Sequence, residues 1–166
     1  MNTRKSIELL NKGVAEELQA VHQNIYWHFH LDDQGFAPLA TMFKRIAIME
    51  MGLVERFAER ILFLKGEVEM VAAGPVEKIT DAQKIVARAS AMEHEAVGTY
   101  NQFALQAGQN ADAATKQVFE VLVNDEEGHY DEFDKQLDNI KRFGPNYLAL
   151  QSFNKATAQT EPAAGD

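Results

Sequence analysis

Four long segments of this 166-residue chain carry apolar residues at every third or fourth position, and they limit the possible folds more than any other feature. This spacing is the period of an amphipathic α-helix. Thr80 and Gln83 form a capping-box pattern at the start of the third segment, and Gly66 and Gly108 follow the ends of the second and third. The pattern predicts an all-α domain with helices at about residues 3–31, 37–65, 80–107 and from 111 or 112 to 143.

The connection between the second and third helices predicts how they are arranged. Residues 67–79 lack helical periodicity and contain Gly74 and Pro75. Extended at about 3.3 Å per residue, such a segment spans roughly 40 Å, which is about the length of one of these helices at 1.5 Å per residue. Helices two and three can therefore run parallel, and one long crossover is typical of a ferritin-like four-helix bundle. We expect this bundle over residues 1–155, including a short fifth helix from 146 to 155, and a disordered tail at 156–166.

Composition excludes several classes of function. The formal net charge of −9 argues against a DNA-binding surface and mildly favours cations as partners. The chain has no cysteine, which excludes disulfides and thiolate metal sites. No apolar run approaches the roughly 20 residues of a membrane span, and the polar N-terminus does not resemble a signal peptide. We expect a cytoplasmic protein with no membrane partner.

Each long helix carries one glutamate in the middle of its apolar face. Glu17 and Glu50 are 33 positions apart, and so are Glu93 and Glu126, as expected for two helical hairpins related by a pseudo-twofold axis. By contrast Glu16, together with Gln19 and Gln23, belongs to a polar face that we interpret as solvated. The four inward glutamates should therefore meet in one layer of the bundle.

Four carboxylates in an apolar interior need a compensating charge. Buried carboxylates must be protonated, paired with basic side chains, or bridged by cations. His129 lies three residues after Glu126, and therefore on the same helical face. Carboxylate oxygens with an imidazole suit iron or manganese, and two ions share the charge best. We favour a di-metal site over arginine or lysine pairing, which would have to occur at all four positions.

The residues that carry this pattern resemble those of bacterioferritins, over residues 9–150. The segments of the resemblance are Glu16-Glu17-Leu18, Glu59-Arg60-Ile61-Leu62-Phe63-Leu64, Asp125-Glu126-Glu127-Gly128-His129 and Asn146-Tyr147-Leu148. The resemblance implies a ferroxidase that oxidises Fe(II) to Fe(III) with dioxygen or hydrogen peroxide. It also implies iron storage in a hollow homo-oligomeric shell, with 24 subunits favoured and 12 as the alternative.

The resemblance also implies roles for individual residues. Glu17 and Glu93 would be terminal ligands of a di-iron centre, Glu50 and Glu126 would bridge the ions, and His129 would bind one of them. Met51, directly after Glu50, would be an axial ligand of haem b or a related porphyrin held between two subunits. A ferredoxin-type protein is the reductant that this setting implies.

One expected ligand is missing. Where the family has a histidine three residues after the second-helix glutamate, this chain has Leu53, so one ion would be held by carboxylates and bind more weakly. His94 is a candidate replacement, although it points about 100° away from Glu93. The tyrosine often found seven residues after the first glutamate is replaced by Asn24.

Three other functions remain open at this point. Leu53 would suit a haem-bearing or structural shell subunit with an impaired ferroxidase site. Tyr26 and Trp27, followed by Gly35 and Phe36, faintly resemble Dps-type mini-ferritins, which consume peroxide. A di-metal oxidase of another substrate could use the same fold.

Overall fold

The computed structural model describes the backbone of residues 1–159 and the side chains of residues 1–153. Within this part the chain forms five helices and no strand. They are α1 (Thr3–Asp33), α2 (Ala37–Phe63), α3 (Ala82–Gln109), α4 (Ala113–Phe143) and α5 (Tyr147–Gln159). The predicted all-α architecture of four long helices and a short fifth helix is confirmed.

The helix ends differ from the predicted ones for local reasons. α3 starts at Ala82 and its N-cap is Asp81, whose side chain accepts from the backbone N–H of Lys84, so aspartate caps this helix instead of Thr80. α2 ends at Phe63, and Lys65 takes a left-handed φ of 63° before Gly66. α5 continues to Gln159, beyond residue 155, and the rest of the expected tail lies outside the described residues.

The crossover between α2 and α3 is fastened along α1 by amide side chains. Asn11 bonds the backbone C=O of Glu67 and N–H of Glu69, and Gln19 bonds the C=O of Pro75 and the N–H of Gly74. Each amide thus uses both its donor and its acceptor. Because the contacts advance in the same direction along both segments, the crossover runs parallel to α1 and returns the chain to the starting end of α2.

Gln23 corrects the prediction of a solvated face. Its side chain is fully buried, and it bonds both the C=O and the N–H of Glu77 in the crossover. The polar face of α1 is therefore covered by irregular chain, whose backbone groups need polar partners. The sequence pattern identified the polar face correctly but predicted that it would be exposed to solvent.

The core consists of two apolar clusters at opposite ends of the bundle. One cluster includes Leu10, Val14, Phe57, Phe119 and Leu122. The other includes Trp27, Phe43, Ile46, Val86 and Phe133. The positions between these clusters on the four long helices are those of the four inward glutamates, so the bundle has a polar layer at mid-height.

The long helices are amphipathic, as packing in a water-exposed bundle requires. Among the helices that the structure describes, none is both long and apolar enough to cross a membrane.

Candidate metal centre

The five predicted ligand residues meet in the polar layer. Glu17 comes from α1, Glu50 from α2, Glu93 from α3, and Glu126 and His129 from α4. All five are buried, with at most 5% of each residue exposed. We call this group the carboxylate cluster.

The ligand atoms lie within coordination reach of one another. One atom from each of Glu50, Glu93, Glu126 and His129 can be chosen so that all lie within 4.8 Å. His129 Nδ1 is 3.0 Å from Glu50 Oε1 and 3.9 Å from Glu126 Oε2. Glu17 joins the cluster through its contact with Glu50.

The hydrogen-bonding capacity of the cluster is largely unused. Among the described side chains, these buried atoms of the cluster make no hydrogen bond of good geometry: Glu17 Oε2, Glu50 Oε1 and Oε2, Glu126 Oε1, and His129 Nδ1 and Nε2. His129 Nδ1 and Glu50 Oε1 lie 3.0 Å apart, as an ion pair within the cluster. Buried polar atoms are normally satisfied, so such a concentration requires an explanation. The donor set of hard oxygens and imidazole fits divalent cations such as Fe(II) or Mn(II).

A buried acid elsewhere in the chain shows the alternative arrangement. Asp112 is only 2% exposed, but Arg60 Nη2 donates to it at 2.8 Å, Ser6 Oγ at 2.6 Å and Thr115 Oγ1 at 2.7 Å. Burial would raise the pKa of Asp112, but these hydrogen bonds and the arginine charge lower it. In the described part of the chain, no lysine or arginine forms an ion pair with the carboxylate cluster.

Burial and mutual repulsion set the protonation of the cluster. Burial raises the pKa of Glu17, Glu50 and Glu93, and neighbouring carboxylates raise those of Glu17 and Glu93 further. Burial alone would lower the pKa of His129, but the carboxylates of Glu126 and Glu50 outweigh it and raise the pKa to about 10. Without metal, the cluster therefore holds protons at neutral pH that a cation would have to displace.

These shifts predict how stability depends on pH in the metal-free protein. A raised pKa in the folded state adds stability below the unfolded pKa, and this stability is lost as pH rises through the folded value. The pH range over which this stability is lost begins near 4.5 for the glutamates. For His129 it runs from pH 6.5 to about pH 10. We expect the melting temperature in EDTA to fall by roughly 5 °C or more between pH 5.5 and pH 9, as measured by scanning calorimetry.

A matched series with Zn²⁺ serves as the control. Because ligands must lose protons to bind metal, stabilisation by Zn²⁺ should increase over the same pH range. A melting temperature in EDTA that is constant or rises from pH 5.5 to pH 9 would contradict the assigned shifts.

A pocket of about 220 Å³ between α1 and α3 is lined by residues of the carboxylate cluster and by partly exposed residues. Glu17, Glu93, Glu126 and Tyr100 line its inner part, and Arg88 lies in its wall. Arg88 is ion-paired with Glu77 at 2.8 Å and with Glu95 at 3.1 Å, which links the crossover to α3. The pocket thus brings the surface close to the buried oxygens.

The two other histidine and methionine candidates lie apart from the cluster. His94 is exposed, and its ring centroid is 5.5 Å from that of Tyr130. Met51 is 51% exposed on the surface of α2. Leu53 is buried in the apolar cluster beside the carboxylates.

Tyr100 is the contact that sequence reasoning missed. Its hydroxyl donates a hydrogen bond to Glu17 Oε1 across the bundle. The pattern placed Tyr100 only on the apolar stripe of Glu93. The signal that could have found it is the hairpin pseudo-symmetry, since Tyr100 follows Glu93 by seven residues, as Asn24 follows Glu17.

Comparisons with known proteins point to one family. A family model described as a ferritin-like domain matches residues 7–143. A bacterioferritin of Desulfovibrio desulfuricans is 36% identical over 145 residues, which cover 87% of this chain and 81% of that protein. A bacterioferritin of Rhodobacter capsulatus is 34% identical over 148 residues, which cover 88% of this chain and 91% of that protein.

Solved structures of bacterioferritins from these two organisms share the fold. The Desulfovibrio desulfuricans structure, described with its diiron site in different catalytic states, aligns with a TM-score of 0.85 at 35% identity over 89% of this chain and 86% of that one. The Rhodobacter capsulatus structure, with a metal-free dinuclear site and haem iron in a crystallographic special position, aligns with a TM-score of 0.85 at 29% identity over 98% of both chains.

Proposed function

Because the chain belongs to the bacterioferritin family of ferritin-like proteins, we propose that it stores iron and acts as a ferroxidase. Its substrate is Fe(II), which is oxidised at the carboxylate cluster and kept as Fe(III) inside an oligomeric shell. The observation that carries this proposal is the set of buried, unpartnered ligand atoms of Glu17, Glu50, Glu126 and His129.

The reaction needs no covalent chemistry from the protein. Two ferrous ions each lose one electron. The two electrons, together with two protons from the solvent, reduce dioxygen to hydrogen peroxide, or hydrogen peroxide to two molecules of water. Glu17 and Glu93 each interact with both Glu50 and Glu126. Glu50 and Glu126 would therefore share their charge between two ions, and Glu17 and Glu93 would each serve one of them. His129 supplies the nitrogen ligand. The apolar clusters above and below hold these side chains in place before the ions arrive.

Charge neutralisation favours entry of cations. Ferrous ions that reach the cluster through the pocket between α1 and α3 replace the protons of the glutamates and His129. The positive charge of two ions then compensates four carboxylates that otherwise repel one another.

Rapid mixing of the metal-free homo-oligomer with anaerobic Fe(II) and then with air tests the proposal directly. We expect a fast absorbance increase in the near ultraviolet whose amplitude saturates at two Fe(II) per subunit. With further additions of Fe(II) in air, the same homo-oligomer should accumulate ferric iron far beyond two ions per subunit. If Fe(II) is oxidised no faster with the protein than in buffer alone, the ferroxidase proposal is wrong, and the chain would be a structural or haem-bearing subunit.

Assembly is supported by the exposed apolar surface of the single chain. The side chains include Phe29 at 63%, Phe63 at 71%, Phe143 at 60% and Leu150 at 58% exposure. Contact with other subunits in a shell would bury side chains of this kind. A shell of 24 chains of 18.6 kDa has a mass of about 450 kDa, and native mass spectrometry distinguishes it from a shell of 12.

We propose that Met51 binds haem between two subunits. Its thioether lies on the exposed face of α2, next to Ile48, which is 59% exposed. The position of the absent side chain at Gly52 has no atom within 4 Å, which leaves the neighbouring surface open. Methionine sulfur is a known axial ligand of haem iron, and haem here would carry electrons from a ferredoxin-type reductant to stored Fe(III).

A further inference from the structure

The two halves of the carboxylate cluster are not equivalent. The α3–α4 hairpin supplies Glu93, Glu126 and His129, and their ligand atoms converge with those of Glu50 within 4.8 Å. Glu17 is not a member of that group. At the position in the α1–α2 hairpin that corresponds to His129, the chain has the apolar Leu53.

In the α1–α2 half, the terminal glutamate accepts a hydrogen bond from a tyrosine. The Tyr100 hydroxyl donates to Glu17 Oε1, while Glu17 Oε2 has no hydrogen-bond partner among the described residues. One oxygen of this carboxylate is therefore held by the protein, and the other is available to a cation. At the pseudo-symmetric position Asn24 is buried at 3% exposure, so tyrosine is present in one hairpin only.

Packing fixes the position of the Tyr100 hydroxyl. Its residue is 1% exposed, and its ring lies 6.1 Å from the rings of Phe57 and Phe119 and 6.2 Å from that of Phe103. An aromatic ring packed among others has little freedom to turn. The hydroxyl can therefore orient Glu17 before any ion is bound, which is the usual role of groups that hydrogen-bond a metal ligand.

We propose that the centre binds its two ions in unequal steps, and that Tyr100 is the positioning residue for the second. The first ion binds Glu50, Glu93, Glu126 and His129. The second ion has no histidine ligand and depends on Glu17. The Tyr100 hydroxyl holds one oxygen of Glu17 and so orients the other oxygen toward this ion. This inference rests on the proposed metal centre and adds its order of filling.

Anaerobic titration of the metal-free protein with Co²⁺ tests this order without any oxidation. The visible absorption of Co²⁺ reports its ligands, and we expect two steps of clearly different affinity. In Tyr100→Phe, which keeps the packed ring, the second step should weaken by about tenfold. The affinity of the first step should stay within about twofold of that of the original protein. A general structural defect would weaken both steps.

Leu53→His provides a gain-of-binding counterpart. A nitrogen ligand on the α1–α2 hairpin should strengthen the second step by about tenfold and bring the two affinities together. Tyr147→Phe is the matched control. Tyr147 is partly buried, its hydroxyl accepts a hydrogen bond from Asn139 at 3.1 Å, and it belongs to α5, outside the carboxylate cluster. It should leave both steps unchanged.

The outcomes separate this inference from the proposed function. Two steps, of which only the second responds to Tyr100→Phe and Leu53→His, would support the inference. Two equal steps, or a second step that is unchanged in Tyr100→Phe, would overturn it and leave the metal centre intact. If Co²⁺ does not bind to the original protein at all, both the inference and the proposed centre are wrong.

Discussion

Replacing Glu126 with glutamine is expected to slow the fast oxidation of Fe(II) by about 100-fold or more. Glu126 is 2% exposed and lies within coordination reach of Glu50, Glu93 and His129. Groups that merely support metal ligands contribute 10–100-fold to affinity or activity, so loss of a central ligand should cost at least as much. The measurement is the rapid-mixing assay at two Fe(II) per subunit.

The adjacent residue offers a matched control. Glu127→Gln makes the same chemical change one position along α4, but Glu127 is exposed and faces away from the carboxylate cluster. Its oxidation rate should remain within about twofold of the original. Equal rates in Glu126→Gln and the original protein would exclude the carboxylate cluster as the site of oxidation.

The same pair of variants separates function from stability. The charge of Glu126 raises the pKa of Glu17 and Glu93, so it opposes ionisation of its neighbours in the metal-free protein. The same charge raises the pKa of His129, so Glu126→Gln removes an attraction together with the repulsion, and the metal-free melting temperature should change little. Excess Zn²⁺ should then stabilise Glu126→Gln less than Glu127→Gln.

The carboxylate cluster could be predicted from sequence because helices obey a fixed period. Glu17, Glu50, Glu93 and Glu126 each interrupt an apolar stripe, and a buried stripe cannot tolerate an acid without compensation. The crossover was predictable for a similar reason, since residues 67–79 contain no helical pattern and are long enough to span the bundle. Both arguments use only local spacing and chain length.

What the sequence could not provide are contacts between distant segments. Tyr100 and Glu17 are 83 positions apart, and their hydrogen bond depends on the rotation and height of two helices. Gln23 looked solvated because nothing in its helical pattern shows that Glu77 and the crossover will cover it. The N-cap of α3 lies one residue later than predicted, at Asp81, because Thr80 and Asp81 can both cap a helix.

Haem content should depend on Met51 alone among the exposed methionines of α2. Met51→Leu is expected to lower the haem of the purified oligomer by about tenfold or more, because leucine keeps the apolar surface but has no sulfur to bind iron. If two subunits each provide one Met51, the substitution removes both axial ligands at once. The Soret absorbance per subunit, after reconstitution with excess haem and gel filtration, gives the measurement.

Met49→Leu is the control that separates ligation from general apolar contact. Met49 is 44% exposed, similar to Met51 at 51%, but it lies two positions earlier, on another face of α2, with its sulfur 3.5 Å from Arg45 Nη1. A haem that is held by apolar contact alone would be lost equally, or retained equally, in both variants. A haem held by its axial sulfur would be lost only in Met51→Leu, because only this thioether lies beside the open surface at Gly52. Full haem content in Met51→Leu would therefore reject the proposed ligand.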